Sequence, residues 1–167
     1  LRALANICIA ATVNLPVIGT VLHGDLCFSN VLYDSRNETI KILDPRGLNE
    51  SGDFSIYGDQ KYDLAKLTHS VLGLYDWIIA GRYTLEVDAG ESVTLDFHLD
   101  ERTLATQETF LNTEFIPGMP VIDTMASVVL LFISMIPLHA DRPDRQKAMI
   151  ANAYRIYLKY CTQETLK

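Results

Sequence analysis

The chain has 167 residues, 49% of them apolar and 21% charged, a profile of one folded domain with a sizeable core rather than of a disordered or fibrous polypeptide. Its net charge is −7 and its 14 Lys and Arg residues form no run. A nucleic-acid binder normally carries a basic stripe, so no nucleic-acid partner is expected. Cys8, Cys27 and Cys161 are odd in number and lack C-x-x-C spacing, which fits reduced thiols in a cytoplasmic protein. Nothing at the start combines a basic region with a small-residue cleavage site. The longest apolar run, 125–138, reads as too short for a bilayer and contains Ser127, Ser134 and Pro137, so a buried helix and no membrane span are expected.

In chain order, residues 1–12 read as the end of a core helix, broken by Asn14-Leu15-Pro16. Residues 17–22 are an apolar run of strand length. Residues 31–33 and 40–43 read as hairpin partners around a polar turn at 34–38, and 47–58 is polar and Gly-rich, in the manner of a mobile segment. An amphipathic helix is predicted over 62–79, with Leu64, Leu67, Val71, Leu74 and Ile78 on its buried face. Asp59 and Asp63 sit at its start, where carboxylates suit the helix dipole. A second hairpin is expected from 83–87 and 92–99 around Asp88-Ala89-Gly90-Glu91, followed by helices at 103–112 and 121–136. The last helix spans 141–160, with Pro143 in its first turn, Asp141 as its cap, and Ile150, Tyr154, Tyr157 and Cys161 facing the core. The expected fold is α+β and mainly helical, with two small hairpins.

The chemistry concentrates in His23-Gly24-Asp25-Leu26-Cys27-Phe28-Ser29-Asn30 and in Asp44, which ends the apolar run 40–43. A loop feeding a hairpin can return Asp44 to Asp25 and Asn30, gathering two carboxylates and an amide. Phosphoryl transfer needs such a set: one carboxylate orients the attacking hydroxyl, while an amide and a second carboxylate hold magnesium against the phosphates. Kinase catalytic loops share the spacing His-x-Asp-x-x-x-x-Asn.

Three motifs agree in order, spacing and strand context: His23-Gly24-Asp25 with Asn30, Ile42-Leu43-Asp44, and Tyr62-Asp63-Leu64-Ala65. Together they resemble the C-terminal lobe of the aminoglycoside phosphotransferase and choline kinase family, within the protein-kinase-like fold. The motifs cover roughly 15–81, and the helices up to 160 follow more loosely. The resemblance implies that Asp25 is the catalytic carboxylate and that Asn30 and Asp44 bind Mg2+. It also implies that His23 braces the loop and that Asp63 ties the helix start to it. The phosphate donor would be ATP or GTP. The acceptor would be a small-molecule hydroxyl on a sugar, an aminoglycoside, a choline-like amino alcohol or a capsule precursor. Residues 1–167 would then be a single C-terminal catalytic lobe. The Gly-rich loop, strand Lys and adenine hinge would belong to an N-terminal lobe acting as its partner, without which the lobe is inactive.

Arg46 departs from the family pattern, because Pro45-Arg46-Gly47 follows Asp44. A cation there suits a phosphate or an anionic substrate, or an ion pair with Asp53 or Glu50. His69, His98 and His139 have no neighbours at metal-ligand spacing and read as surface or core residues. Two alternatives stand beside the phosphotransferase: a non-catalytic kinase-like binding module, and a metal-dependent hydrolase built on His23, Asp25, Asp44 and His69.

Overall fold

The computed structural model describes residues 1–49, 51–88 and 92–162. The fold is α+β and mainly helical. It begins with α1 (Arg2–Val13), β1 (Gly19–Val21), β2 (Val31–Asp34), β3 (Thr39–Ile42) and β4 (Tyr57–Asp59), and then α2 (Gln60–Val71) and α3 (Tyr75–Ile79). Next come β5 (Thr84–Val87), β6 (Val93–Asp96), α4 (Glu101–Leu111), α5 (Met125–Met135) and α6 (Pro143–Ile156). The strands form three separate antiparallel pairs, β1 with β4, β2 with β3, and β5 with β6.

The core is built around α5, whose Met125, Val128, Val129 and Phe132 are almost wholly buried and which packs against α1, α2 and α6. The continuous helical run containing it, Val121–His139, has 19 residues and a mean hydropathy of 2.1. By length and composition alone it can cross a membrane, which corrects the expectation that this stretch is too short. Within the fold it serves as the central helix, contacted by three others.

Two expected hairpins are present, and Val31↔Ile42 through Asp34↔Thr39 sets the register of the first. The second is closed by Thr84↔Asp96, while Ala89, Gly90 and Glu91 of its turn lie outside the described residues. The β1–β4 pair was not expected, because its partners Gly19 and Asp59 are far apart in sequence and no local turn signal joins them. It draws the end of the 47–58 segment against β1. That segment is also internally bonded, with Asn49 Oδ1 accepting from the Ser51 and Asp53 amides and Leu48 bridging Phe54.

The helix predicted over 62–79 is two helices. Leu74 takes a left-handed conformation at φ 59°, and the chain turns there between α2 and α3. The break exposes carbonyls that an unbroken helix would satisfy internally, and three side chains from elsewhere take them up. Gln107 Nε2 donates to Val71 O at 2.7 Å, Arg155 Nη2 to Leu72 O at 3.2 Å, and the fully buried Asn152 Nδ2 to Gly73 O at 2.6 Å. Arg155 Nε in turn donates to Asn152 Oδ1 at 2.6 Å. Gly73 itself is required by space: a Cβ there would lie 2.3 Å from His69 O and 2.9 Å from the Phe132 ring.

Two features of α6 also differ from expectation. Its buried face is Ala148, Met149, Asn152, Ala153 and Ile156, while Tyr154 is exposed and Ile150, Tyr157 and Cys161 are only partly buried. The stripe is set by the α2–α3 break that α6 covers, so the polar Asn152 lies inside it. Asp141 does not cap the helix; Arg142 occupies the N-cap position, and its guanidinium pairs with Asp144 at 2.8 Å.

Apolar exposure gathers on the strand side. Val17 and Val21 are open to solvent, as are Leu32, Tyr33, Ile40 and Ile42 of the β2–β3 hairpin. On α1 only Leu4 and Cys8 are buried.

Replacing Asn152 by Ala should lower stability by about 1–3 kcal/mol, because the Gly73 carbonyl and the Arg155 guanidinium lose their buried partner together. Urea unfolding of the two proteins measures this, and an unchanged midpoint would contradict the account of the break.

Candidate functional site

The loop between β1 and β2 runs along one face of α2, and the helix holds it by three side chains at helical spacing. Asp63, in the first turn, accepts from the backbone N–H groups of His23 and Gly24 at 2.7 and 2.8 Å. Lys66, one turn on, brings its ammonium to 2.6 Å from Asp25 Oδ1. Ser70, one turn further, accepts from the Phe28 N–H at 3.1 Å. Residues three and four apart share a helix face, so Asp63, Lys66 and Ser70 form a polar stripe that matches the loop residue by residue. Asp59 N-caps the helix through the Lys61 N–H and accepts from the Ile18 amide at the start of β1.

Within the loop, Asn30 Nδ2 donates to both the backbone oxygen of Asp25, at 2.9 Å, and its Oδ2, at 3.1 Å. Both Asp25 oxygens are therefore oriented, one by Asn30 and one by Lys66, while the side chain keeps about one third of its surface open. His23 Nε2 is 2.8 Å from Leu43 O and His23 Nδ1 accepts from the Asp25 amide at 3.2 Å, which identifies Nε2 as the protonated ring nitrogen. The Leu43 amide donates to Asn30 O at 2.9 Å and the Arg46 amide to His23 O at 2.8 Å. Those bonds flank Asp44 on both sides and hold it beside the loop, in a left-handed conformation at φ 57°.

The Asp44 carboxylate is exposed, and among the described residues no protein group donates to it or to Asn30 Oδ1. With Nδ2 turned toward Asp25, the amide oxygen of Asn30 is left without a donor among the described residues. One carboxylate and one amide oxygen suit magnesium, which takes oxygen ligands and keeps several waters. No group of three or more His, Cys, Asp or Glu side chains is gathered for a metal among the described residues.

Arg46 forms no ion pair with Asp53 among the described residues, and Glu50 lies outside them. Instead its guanidinium donates to Tyr62 Oη at 3.0 Å and sits over the Tyr62 ring. Its Cβ packs so tightly on Gly24 that a Cβ at Gly24 would come within 2.8 Å of it, and Gly24 also has a φ of 78°, so this position needs glycine on both counts. A cavity of about 610 Å³ opens here, lined by His23, Gly24, Arg46, Lys61 and Tyr62 among others. Asp25, Asn30 and Asp44 do not line it, so it borders the loop without containing the three chemical side chains.

His69 is wholly buried between the rings of Tyr75 and Phe132, at centroid distances of 4.6 and 4.1 Å. Neither ring nitrogen has a hydrogen-bond partner among the described residues. Burial, reinforced by the nearby Lys66 ammonium, lowers its pKa to about 3. The hydrolase alternative assigned His69 to a metal, and its ring is instead enclosed by aromatic carbon. Lys66 was missed because the predicted buried face of the helix was apolar. The i, i+3, i+7 pattern Asp63, Lys66, Ser70 was the available signal.

The comparisons with known proteins return nothing: no family model, no curated protein and no solved structure matches this chain.

His69 makes stability depend on pH in a defined direction. Its folded pKa of about 3 lies below the ordinary histidine value of 6.5, so between these values the unfolded chain binds the extra proton. Stability should fall as pH drops through that window, with a slope approaching about 1.4 kcal/mol per pH unit from this residue. Denaturant titrations of wild type and His69→Phe between pH 7 and 4 measure the difference, and parallel curves would contradict it.

Proposed function

We propose that the chain is the catalytic lobe of a small-molecule phosphotransferase of the aminoglycoside phosphotransferase and choline kinase type, with a protein-kinase-like fold. The observation that carries this reading is the Asp25–Asn30–Asp44 arrangement. One amide nitrogen holds Asp25 while its oxygen stays available, and two backbone hydrogen bonds keep alongside it a second carboxylate that has no partner among the described residues. The double hydrogen bond from the loop backbone to Asp63 supports the same reading, since the resemblance assigns Asp63 that task.

In this mechanism the acceptor hydroxyl hydrogen-bonds to the Asp25 carboxylate. Its oxygen bonds to the γ-phosphorus of ATP or GTP as the bond from phosphorus to the bridging oxygen breaks. The nucleoside diphosphate leaves with that electron pair, and the acceptor proton passes to Asp25 and then to solvent. Asn30 Oδ1 and Asp44 would hold magnesium, which when bound neutralises the phosphate oxygens. Arg46, braced by Tyr62 and without an acidic partner among the described residues, would contact a phosphate or an anionic part of the substrate. The acceptor is a hydroxyl of a sugar, an aminoglycoside, a choline-like molecule or a capsule precursor. The nucleotide site would be completed by an N-terminal lobe seated on the strand side, where the exposed apolar residues gather. The protein would work in the cytoplasm. The competing reading is a kinase-like module that binds nucleotide without turnover.

The test uses the full-length protein with ATP, magnesium and a panel of hydroxyl acceptors. Acceptor-stimulated ADP release is expected, and Asp25→Asn should lower kcat by about 10²–10⁴-fold without a comparable loss of nucleotide affinity. Nucleotide binding with no stimulation by any acceptor would favour the binding module, and no nucleotide binding would end the kinase-like reading. Asp44→Ala should separately lower turnover and raise the magnesium concentration needed for half-maximal rate; an unchanged magnesium titration would remove Asp44 from the metal site.

A further inference from the structure

The cavity of about 610 Å³ beside the loop falls within the size range of small-molecule sites, about 300–1,000 Å³, and its charge is unbalanced. Among the described residues Arg46, Asp59 and Lys61 are the Asp, Glu, Lys or Arg side chains that line it. Two of these cancel. The Lys61 ammonium pairs with Asp59 Oδ2 and also donates to Pro16 O. Asp59 Oδ1 accepts from the amides of Ile18 and Lys61. Both oxygens of that carboxylate are therefore spent, and both ring nitrogens of His23 are committed within the loop.

Arg46 is the charge left over. Tyr62 Oη accepts one of its N–H groups at 3.0 Å, and the Tyr62 ring centroid lies 5.2 Å from the guanidinium carbon. A guanidinium carries more donors than one hydroxyl uses, and its planar fork fits a carboxylate or a phosphate. Its stem is fixed as well, since the Arg46 amide donates to His23 O at 2.8 Å and its Cβ packs on Gly24. An ordered cation gives up little freedom when an anion arrives.

The cavity adjoins the proposed phosphotransfer residues without including them. Gly24 lines it, and Asp25 is the next residue, with its Cα about 3.8 Å away. Arg46 lies two residues past Asp44. Because Asp25, Asn30 and Asp44 stand outside the lining, an anion held by Arg46 there is separate from the transferring phosphoryl group. An aminoglycoside or a choline-like molecule would bring its own positive charge to Arg46 and find no free carboxylate in the cavity among the described residues. Thr12, Ser51, Ser55 and Tyr57 add hydroxyl side chains to the lining, as suits a polyhydroxylated ligand.

We propose that this cavity receives the distal end of the acceptor, and that the acceptor is an anion: a hydroxyl compound carrying a phosphate or carboxylate group that pairs with Arg46. This rests on the phosphotransferase reading above and narrows its acceptor classes by charge.

Calorimetry on the full-length protein tests it with inorganic phosphate, glucose 6-phosphate, glucuronate, glucose and glucosamine, each without magnesium. Wild type, Arg46→Gln and Arg46→Lys are compared, with a melting curve for each. Phosphate should bind the wild type saturably and leave its affinity for ADP with magnesium unchanged. Glucose 6-phosphate or glucuronate should bind more tightly than glucose and glucosamine, and the tighter of the two tells a phosphate ester from a carboxylate. Arg46→Gln should weaken phosphate binding by about tenfold or more, as expected for losing a charge-assisted hydrogen bond, and Arg46→Lys should weaken it less.

Phosphate that does not bind, or binds equally to wild type and Arg46→Gln, overturns the proposal and leaves the phosphotransferase reading intact. So does phosphate that competes with ADP, which puts the anion at the nucleotide, and so do anionic sugars that bind no more tightly than glucose and glucosamine. If Arg46→Gln does not fold, Arg46→Lys decides: a measurable loss at an unchanged melting temperature supports the proposal and no loss overturns it. Absence of ADP binding in the wild type overturns the phosphotransferase reading and this proposal with it.

Discussion

The arrangement of the site depends on one carboxylate. Asp63 accepts two backbone N–H groups, from His23 and Gly24, at short distances. Hydrogen bonds to a charged group are worth about 1.5–3 kcal/mol each, enough to decide where an irregular loop lies. With His23 and Gly24 fixed, Asp25 comes within reach of Lys66 and Phe28 within reach of Ser70. The helix therefore acts as a template for the loop, and the register between them is set at its first turn.

From the loop the order passes outward through the backbone. The Leu43 and Arg46 amides bond to Asn30 and His23 on either side of Asp44, so the end of the β2–β3 hairpin is held by main-chain groups rather than by its own side chains. That leaves the Asp44 carboxylate and the Asn30 amide oxygen without a donor among the described residues. Side chains that a fold does not use for itself, in a loop it has ordered at several points, are the ones available for a ligand. His23 illustrates the opposite case: both ring nitrogens are committed within the loop, and its contribution is to geometry.

Beneath the site, α2 owes its position to elements distant in sequence. Its break at Gly73 and Leu74 is sustained by Gln107, Asn152 and Arg155, and its far side packs on α5. The packing that sets the length of α2 thus comes from α4 and α6, and the same helix carries Asp63, Lys66 and Ser70. Core stability and site geometry are coupled through this one helix.

The sequence by itself determined the local features. Alternation and turn residues marked the β2–β3 hairpin, apolar periodicity marked the helices, and the spacing of Asp25, Asn30 and Asp44 marked the candidate site, because each is a relation among residues close along the chain. Tertiary structure decided what depends on distant partners. The β1–β4 pair joins strands with no local turn between them. The helix over 62–79 keeps its apolar period through Leu74 and Ile78, yet it breaks because side chains from α4 and α6 satisfy the freed carbonyls. Asn152 is buried for the same reason. Lys66 stands outside the apolar period of its helix, and it becomes a buried partner of Asp25 because the loop that Asp63 holds lies across that helix.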